Sequence, residues 1–252
     1  MKIVLTQFLL FPIVALSQIQ YQVVPNALET VPGNGSASVP FHVPIGSARY
    51  QQVFDAAQFS GLGPAGAIIT NIAFRADEGG QSFNTTLPDI QISLSTTTKV
   101  PDSLSPVFAA NIGANETIVY GRGSLHIRTA GPAGPSNFDI VVPLSNPFFY
   151  QPAIGNLLLD VRNFAGGGTT FFDAQVTLGD SISGVQAYTG DGSGSVNSTM
   201  GGTHTGGLVT LFEFTPVPEP GTPSLLIVSV AAFTLVYWMK TRLSRKWRST
   251  QP

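Results

Sequence analysis

Apolar and polar residues alternate one by one in several segments of this chain of 252 residues. In the segment 90–95, Ile or Leu occupies every second position and Gln or Ser the positions between them, and 124–128 and 172–178 follow the same pattern. The segment 208–214 alternates as well, with a second face that is largely apolar. A period of two places successive side chains on opposite faces of a β-strand. No stretch of ten or more residues before Pro223 has the apolar stripe of an amphipathic helix, so the chain predicts strands there.

Further strands are predicted at 68–75, 138–142 and 157–162. Turn signals separate the predicted strands: Gly79-Gly80, Gly131-Pro132, Gly134-Pro135 and Gly166-Gly167-Gly168. Strands at this spacing, without intervening helices, are typical of antiparallel sandwiches. We therefore predict one all-β domain over 18–214, an antiparallel, jelly-roll-like β-sandwich, in which 190–207 is a flexible surface loop.

The C-terminal segment has a different character. Val217-Pro218-Glu219-Pro220 lies within a Pro-rich linker, residues 215–222, and an apolar run follows at 223–239. As a helix these 17 residues would extend about 25 Å, near the lower limit for crossing a membrane, which typically takes ~20 apolar residues. Tyr237 and Trp238 end the run, where aromatic rings favour the headgroup region. The run therefore predicts a transmembrane helix, and the alternative is a buried core helix.

A basic cluster follows the apolar run and consists of Lys240, Arg242, Arg245, Lys246 and Arg248. Core helices rarely end in such a cluster, and the positive-inside rule keeps basic residues on the cytoplasmic side of the membrane. Residues 240–252 are therefore predicted to form a basic cytoplasmic tail. The residues before the helix then lie outside the cytoplasmic membrane, and we call 18–214 the ectodomain.

The N-terminus has the pattern of a secretory signal peptide. Lys2 provides the positive charge, residues 3–16 form a largely apolar segment, and Ala15-Leu16-Ser17 fits the small-x-small cleavage pattern. Cleavage between Ser17 and Gln18 would remove residues 1–17. Export at this end agrees with the outward orientation that the tail predicts.

The Pro-Glu-Pro segment, the single apolar helix and the basic tail together resemble the PEP-CTERM sorting signal of bacterial surface proteins. The resemblance covers about residues 217–248, and Glu219 between two prolines matches the family pattern most specifically. It implies a membrane-embedded exosortase-type protease as partner, which would process the tail. It also implies a final location at the cell surface or outside the cell, in the exopolysaccharide-containing matrix of a biofilm.

Charge and cysteine content exclude several function classes. The chain has no cysteine, which excludes disulfides, thiol catalysis and cysteine-ligated zinc. Residues 18–216 carry 13 acidic and 6 basic side chains, a net charge of −7. Because nucleic-acid binding needs a basic surface, we predict no nucleic-acid partner.

The sequence contains no local catalytic or metal-binding motif. His42, His126 and His204 are far apart, and none belongs to a His-x-His or HExxH motif. His126 falls on the polar side of a predicted strand and His204 in the glycine-rich segment, and all three histidines are expected at the surface. The carboxylates are dispersed, although two distant ones can still meet in a sandwich. We therefore predict a non-catalytic protein without a cofactor or metal site.

Binding of a ligand stays open at this point. Asp77-Glu78 precedes a Gly-Gly turn and Asp191 begins an Asp-Gly-Ser-Gly turn, where carboxylates can bind Ca²⁺, but neither segment has the complete spacing of a calcium loop. The cluster Phe148-Phe149-Tyr150 can stack on sugar rings or pack between sheets. Two functions follow: a structural or adhesive surface protein, which we favour, or a carbohydrate-binding, lectin-like module, with or without Ca²⁺.

Overall fold

The computed structural model describes residues 18–217, which form thirteen strands and four short 3-10 helices. The strands are β1 (Gln20–Val24), β2 (Gly35–Ala37), β3 (Ala48–Phe54), β4 (Ala67–Phe74), β5 (Phe83–Thr97), β6 (Thr117–Thr129), β7 (Ile140–Tyr150), β8 (Asn156–Asn163), β9 (Phe172–Val176), β10 (Ile182–Tyr188), β11 (Gly202–His204), β12 (Gly206–Leu208) and β13 (Thr210–Pro216). The 3-10 helices are Asn26–Leu28, Ala56–Leu62, Phe108–Ala110 and Pro152–Ile154.

These strands form three sheets. One large sheet has the order β1-β13-β4-β7 and the other the order β11-β10-β3-β8-β5-β6. A small third sheet has the order β12-β9-β2. Neighbouring strands are antiparallel throughout these sheets. The prediction of an all-β ectodomain with antiparallel strands is confirmed for the residues that the structure describes.

The two large sheets enclose one hydrophobic core that contains many aromatic rings. Phe59, on the 3-10 helix after β3, has its ring centroid 5.1–6.0 Å from those of Tyr150, Phe212 and Phe214. Phe54 of β3 meets Phe212 of β13 edge-on at 5.0 Å, which joins the two sheets directly. Each such aromatic pair adds about 0.5–1.5 kcal/mol beyond the buried area, so this cluster fixes the spacing between the sheets.

The outer face of the six-stranded sheet is covered as well. Val53, Leu158 and Val185 on this face pack with Leu104 and Phe108 from the connection between β5 and β6. β3 is consequently buried on both faces along its whole length. A strand buried on both sides lacks the alternation of a half-exposed strand, and for this reason β3 was not among the predicted strands.

Two ion pairs lie inside the domain. Arg49 of β3 meets Asp160 of β8 at 2.7 Å. Arg75, directly after β4, meets Asp173 of β9 at 2.6 Å, and both side chains of this second pair are 2% exposed. The backbone N–H of Gly33 also donates to Asp173 Oδ1 at 2.9 Å. The second pair therefore connects the four-stranded sheet to the small sheet.

Several predicted strands are confirmed, and other predictions are wrong in part. The segments 90–95, 124–128 and 157–162 lie within β5, β6 and β8. In β6 the alternation is confirmed residue by residue, since Leu125 and Ile127 are buried and His126 is exposed. The glycine-rich segment 190–207 is predicted to be a loop, and residues 190–201 lie outside the strands, but the rest of the segment contains β11 and most of β12.

β9 departs from its predicted pattern of burial. The alternation places Val176 and Leu178 inside and Asp173 outside, whereas Val176 and Leu178 are exposed and Asp173 is buried. The burial of Asp173 follows from its ion pair with Arg75, a residue almost one hundred positions earlier. A contact of this range leaves no signal in the local sequence.

Within residues 18–217 no helix has the length and apolar character required to cross a membrane. The predicted transmembrane helix at 223–239, the basic tail at 240–252 and the signal peptide at 1–17 lie outside the described residues.

Candidate functional site

The two ends of the ectodomain lie side by side. β1 and β13 pair antiparallel, with Gln20 opposite Phe214. Gln18, the first residue after the predicted signal-peptide cleavage, is exposed just before β1. Val217, the first residue of the predicted sorting motif, directly follows β13. The chain therefore enters and leaves the sandwich at the same end of these two strands.

The remaining predicted sorting and processing residues fall outside the described part of the chain. They are Ser17, Pro218, Glu219, Pro220, Lys240, Arg242, Arg245, Lys246 and Arg248. All thirteen described strands nevertheless lie between Gln20 and Pro216. Cleavage at Ser17–Gln18 or beyond Val217 would therefore remove no strand of the described sheets.

Residues of the two turns considered for Ca²⁺ make hydrogen bonds within those turns. Asp191 Oδ1 accepts a hydrogen bond from the backbone N–H of Ser193 at 2.8 Å, and the carbonyl of Asp77 accepts one from the N–H of Gly80 at 2.7 Å. Among residues 18–217, no three or more His, Cys, Asp or Glu side chains come together in a metal-binding arrangement. The Asp191 carboxylate therefore shapes its turn, whereas Asp77 acts in its turn through the backbone carbonyl.

The aromatic cluster 148–150 is mainly part of the core. Phe148 and Tyr150 are buried, and only Phe149 is exposed. The alternation along β7 explains this arrangement, because residues 148 and 150 share one face and residue 149 lies on the other. The cluster does not form a stacking platform for a sugar ring.

A cleft of about 550 Å³, which we call the polar cleft, opens beside the connections between the sheets. Six polar residues line it: Asn26, Asp55, Gln58, Gln175, Asp180 and Ser181. They come from the 3-10 helix after β1, from the start of the 3-10 helix after β3, from β9 and from the turn before β10. Four separate parts of the chain therefore converge on this cleft.

Hydrogen bonds between these parts hold the polar cleft in shape. The backbone N–H of Asn26 donates to Gln58 Oε1 at 2.7 Å, and Asn26 Nδ2 donates to the Gln58 carbonyl at 3.1 Å. The N–H of Asp55 donates to the Ser181 carbonyl at 2.9 Å. Asp55 Oδ1 in turn accepts from the N–H of Ala57 at 2.8 Å and caps the 3-10 helix. The walls are thus held by hydrogen bonds from both backbone and side-chain atoms of these residues.

Two polar atoms of residues lining this cleft have no hydrogen-bond partner. Asp180 Oδ1 accepts from the N–H of Ile182 at 2.9 Å, but Asp180 Oδ2 is buried and unpaired, as is Ser181 Oγ. Burial raises the pKa of the Asp180 carboxyl, the N–H of Ile182 opposes that rise, and repulsion from Asp102 adds to it. Buried polar groups normally have partners, but these two atoms are shielded from solvent and lie behind the accessible wall of the cleft.

His204 was predicted at the surface, and this prediction is wrong, because its ring is largely buried. The ring stacks on Tyr50 with centroids 6.2 Å apart and an interplanar angle of 27°, and Nε2 is buried without a partner. Burial lowers the pKa of His204, while a hydrogen bond with the backbone of Gly206 partly opposes this. The ring borders a cavity of about 240 Å³ between the small sheet and the six-stranded sheet. His126 is exposed, as predicted.

The amino-acid sequence contains little indication of the polar cleft. Asp55 precedes a segment without helical periodicity. Asp180 lies in a turn just after Leu178, where the alternating pattern predicts a strand and not a site. A signal does exist at Asp55, since an Asp that follows a buried strand is a frequent helix N-cap.

Comparison of the chain with protein-family models, with curated proteins and with solved structures finds no match.

Proposed function

We propose that this protein is exported and held at the outer side of the cytoplasmic membrane by its C-terminal segment, with the β-sandwich displayed outside. The observation that carries the proposal is the position of Val217. β13 is the last of the described strands and ends at Pro216, so the segment that we propose as a sorting motif follows it directly. A protease acting on the motif would meet a segment that no described sheet requires.

We further propose that the sandwich is a jelly roll and that the sheet order supports this. Eight strands, β1, β3, β4, β5, β6, β7, β8 and β13, fall into two sets of four, in the orders β1-β13-β4-β7 and β3-β8-β5-β6. Numbered one to eight along the chain, the orders are 1-8-3-6 and 2-7-4-5, as in a double-sheet jelly roll. β10 and β11 then extend the second set, and β2, β9 and β12 form an addition.

The resemblance of the tail to PEP-CTERM signals motivates the rest of the proposal. An exosortase-type protease would recognise Pro218-Glu219-Pro220 in extended form, because both prolines have a fixed φ and no backbone donor. Processing would release the sandwich to the cell surface or the exopolysaccharide matrix. There it would act without catalysis, as a structural or adhesive element.

The test is an immunoblot of membrane and extracellular fractions from a host that carries such a protease. Glu219→Ala keeps both prolines and the apolar run but removes the only charge of the motif. We expect the wild type to be converted to a shorter form and the variant to accumulate at full length in the membrane. The triple variant Arg245→Ala, Lys246→Ala, Arg248→Ala serves as a contrast, since it should disturb topology and not recognition. Equal processing of Glu219→Ala and wild type would leave the motif as a simple linker.

A further inference from the structure

We propose that one end of the sandwich contacts the lipid headgroups of the membrane surface through exposed apolar side chains. This end, which we call the tether end, comprises Pro216 at the end of β13, Ala67 at the start of β4 and residues 151–155 between β7 and β8. The inference rests on the proposed membrane anchor and deepens it, because it states which surface of the sandwich faces the bilayer.

Strand pairing brings the parts of the tether end together. Pro216 lies opposite Ala67, and Ala67 lies opposite Tyr150 at the end of β7. Neighbouring strands are about 4.8 Å apart, so Tyr150 is roughly 10 Å from the last residue of β13. The connection to β8 follows at once, and Gln151 Nε2 donates a hydrogen bond to the Pro64 carbonyl at 2.7 Å. The chain therefore leaves the sandwich beside this connection.

Three large apolar side chains are exposed at this end. Ile154, on the 3-10 helix between β7 and β8, is 66% exposed, and Phe149 of β7 is 47% exposed. Val100, in the connection after β5, is 50% exposed. Its neighbour Lys99 accepts a hydrogen bond at its carbonyl from Asn156 Nδ2, at the start of β8, which places Val100 at the same end. Because single exposed apolar residues are common on protein surfaces, these three alone do not indicate a contact.

The distribution of charge distinguishes the tether end from the opposite end of the same strands. Residues 56–74 and 140–159 contain no charged side chain, and these segments meet where β4 pairs with β7. The connections at the opposite end of β4 and β7 carry Asp77, Glu78 and Asp139. A carboxylate costs free energy when it leaves water, whereas an apolar side chain gains free energy when it does. The tether end is therefore the end suited to lie on lipid.

The length of the linker keeps the tether end near the bilayer. Six residues, 217–222, separate Pro216 from the predicted transmembrane helix, which begins at Pro223. Six residues in extended form reach at most about 20 Å, and the headgroup layer outside the hydrocarbon core occupies roughly 5–8 Å of that distance. Since the linker makes the contact intramolecular, even a weak preference for the interface gives a populated contact. A second copy of the chain or a soluble partner would lack this advantage.

The test uses the absence of cysteine from the chain, which lets one introduced cysteine carry an environment-sensitive fluorophore. Ala153→Cys and Ala133→Cys place the fluorophore at exposed positions in the connections after and before β7, a strand of 11 residues. Full-length protein from the membranes of a host without an exosortase is reconstituted into phosphatidylcholine vesicles that contain spin-labelled lipid. Because β7 spans about 35 Å, we expect the lipid to quench the label at 153 at least about threefold more than the label at 133.

Matched substitutions test the apolar side chains themselves. Ile154→Asp, combined with Ala153→Cys, should lower the quenching about twofold or more, because a carboxylate resists transfer from water. Ile45→Asp is the control, since Ile45 is 81% exposed and precedes β3 at the opposite end, and it should leave the quenching unchanged.

The possible outcomes separate the contact from the anchor. Equal quenching of the labels at 153 and 133 in protein that floats with the vesicles would overturn the contact and leave the anchor intact. A blue-shifted label at 153 without lipid quenching would show that protein covers this end, and it would overturn the contact as well. Failure of the chain to float with the vesicles would overturn the anchor and the contact together.

Discussion

Removal of the Asp173 carboxylate should destabilise the sandwich strongly, because its partner Arg75 would remain buried. The two side chains meet at 2.6 Å and are each 2% exposed. Loss of one partner of a buried ion pair typically costs 3–5 kcal/mol, most of which reflects the charge left behind. In Asp173→Ala, Arg75 would still donate to the carbonyls of Val31 and Pro135. We therefore expect the lower end of this range, about 3 kcal/mol.

The net contribution of the intact pair is a separate quantity and should be smaller. Burial raises the pKa of Asp173 above its usual range, even though Arg75 and the N–H of Gly33 act to lower it. Repulsion from Asp77 adds to the rise, and desolvation offsets a large part of the attraction between Asp173 and Arg75. A double variant, Arg75→Met with Asp173→Ala, removes both charges and should recover part of the stability that Asp173→Ala loses.

The assay is urea denaturation of the purified protein, followed by far-UV circular dichroism. With an m-value of about 2 kcal/mol/M, a loss of about 3 kcal/mol moves the midpoint down by about 1.5 M. Asp89→Ala is the matched control, because Asp89 pairs with Arg122 on the surface at 2.7 Å and exposed pairs contribute little. If Asp173→Ala shifted the midpoint no more than Asp89→Ala, the buried pair would not join the two sheets as described.

Two more predictions concern His204 and its neighbour. His204→Phe should keep the contact with Tyr50 but remove a titrating group. The folded-state pKa of His204 is lowered, so the stability that it contributes is fully present above its unfolded value of about 6.5 and is lost as the pH falls through the folded value. Urea midpoints at pH 7 and pH 5 should therefore differ less in the variant than in wild type, and an identical difference would contradict the burial of the ring. Gly184→Ala would place a Cβ 2.4 Å from His204 Cε1 and should cost about 1–3 kcal/mol by overpacking, whereas Gly121→Ala, with open space around it, should be nearly neutral in the same assay.

The fold class could be predicted because strands with one buried and one exposed face have alternating apolar and polar residues in their local sequence. In β6 the buried Leu125 and Ile127 alternate with exposed residues, since one face meets the core and the other meets water. β3 has no such alternation, because a second small core around Phe108 covers its outer face. β11 and β12 were not predicted for another reason. Their segment is rich in glycine, which permits close packing between sheets but is equally typical of a flexible loop.

The polar cleft could not be predicted because it depends on contacts across the whole chain. Asn26 reaches Gln58, 32 positions later, and Asp55 meets Ser181 through its backbone. Each of these residues, taken alone, is an ordinary turn or cap residue. Only the pairing of β3 with β10, in which Phe54 lies opposite Ile182, brings Asp55 and Asp180 to the same cleft.

The location of the sandwich relative to the membrane is the central claim, and reporter fusions test it most directly. Alkaline phosphatase, which folds only outside the cytoplasm, is fused after Phe214 in one chain and after Pro252 in another, and green fluorescent protein is fused at the same two positions. We expect active phosphatase and no fluorescence after Phe214, and the reverse after Pro252, in a host without an exosortase. Fluorescence after Phe214 with inactive phosphatase would place the sandwich in the cytoplasm and contradict the account.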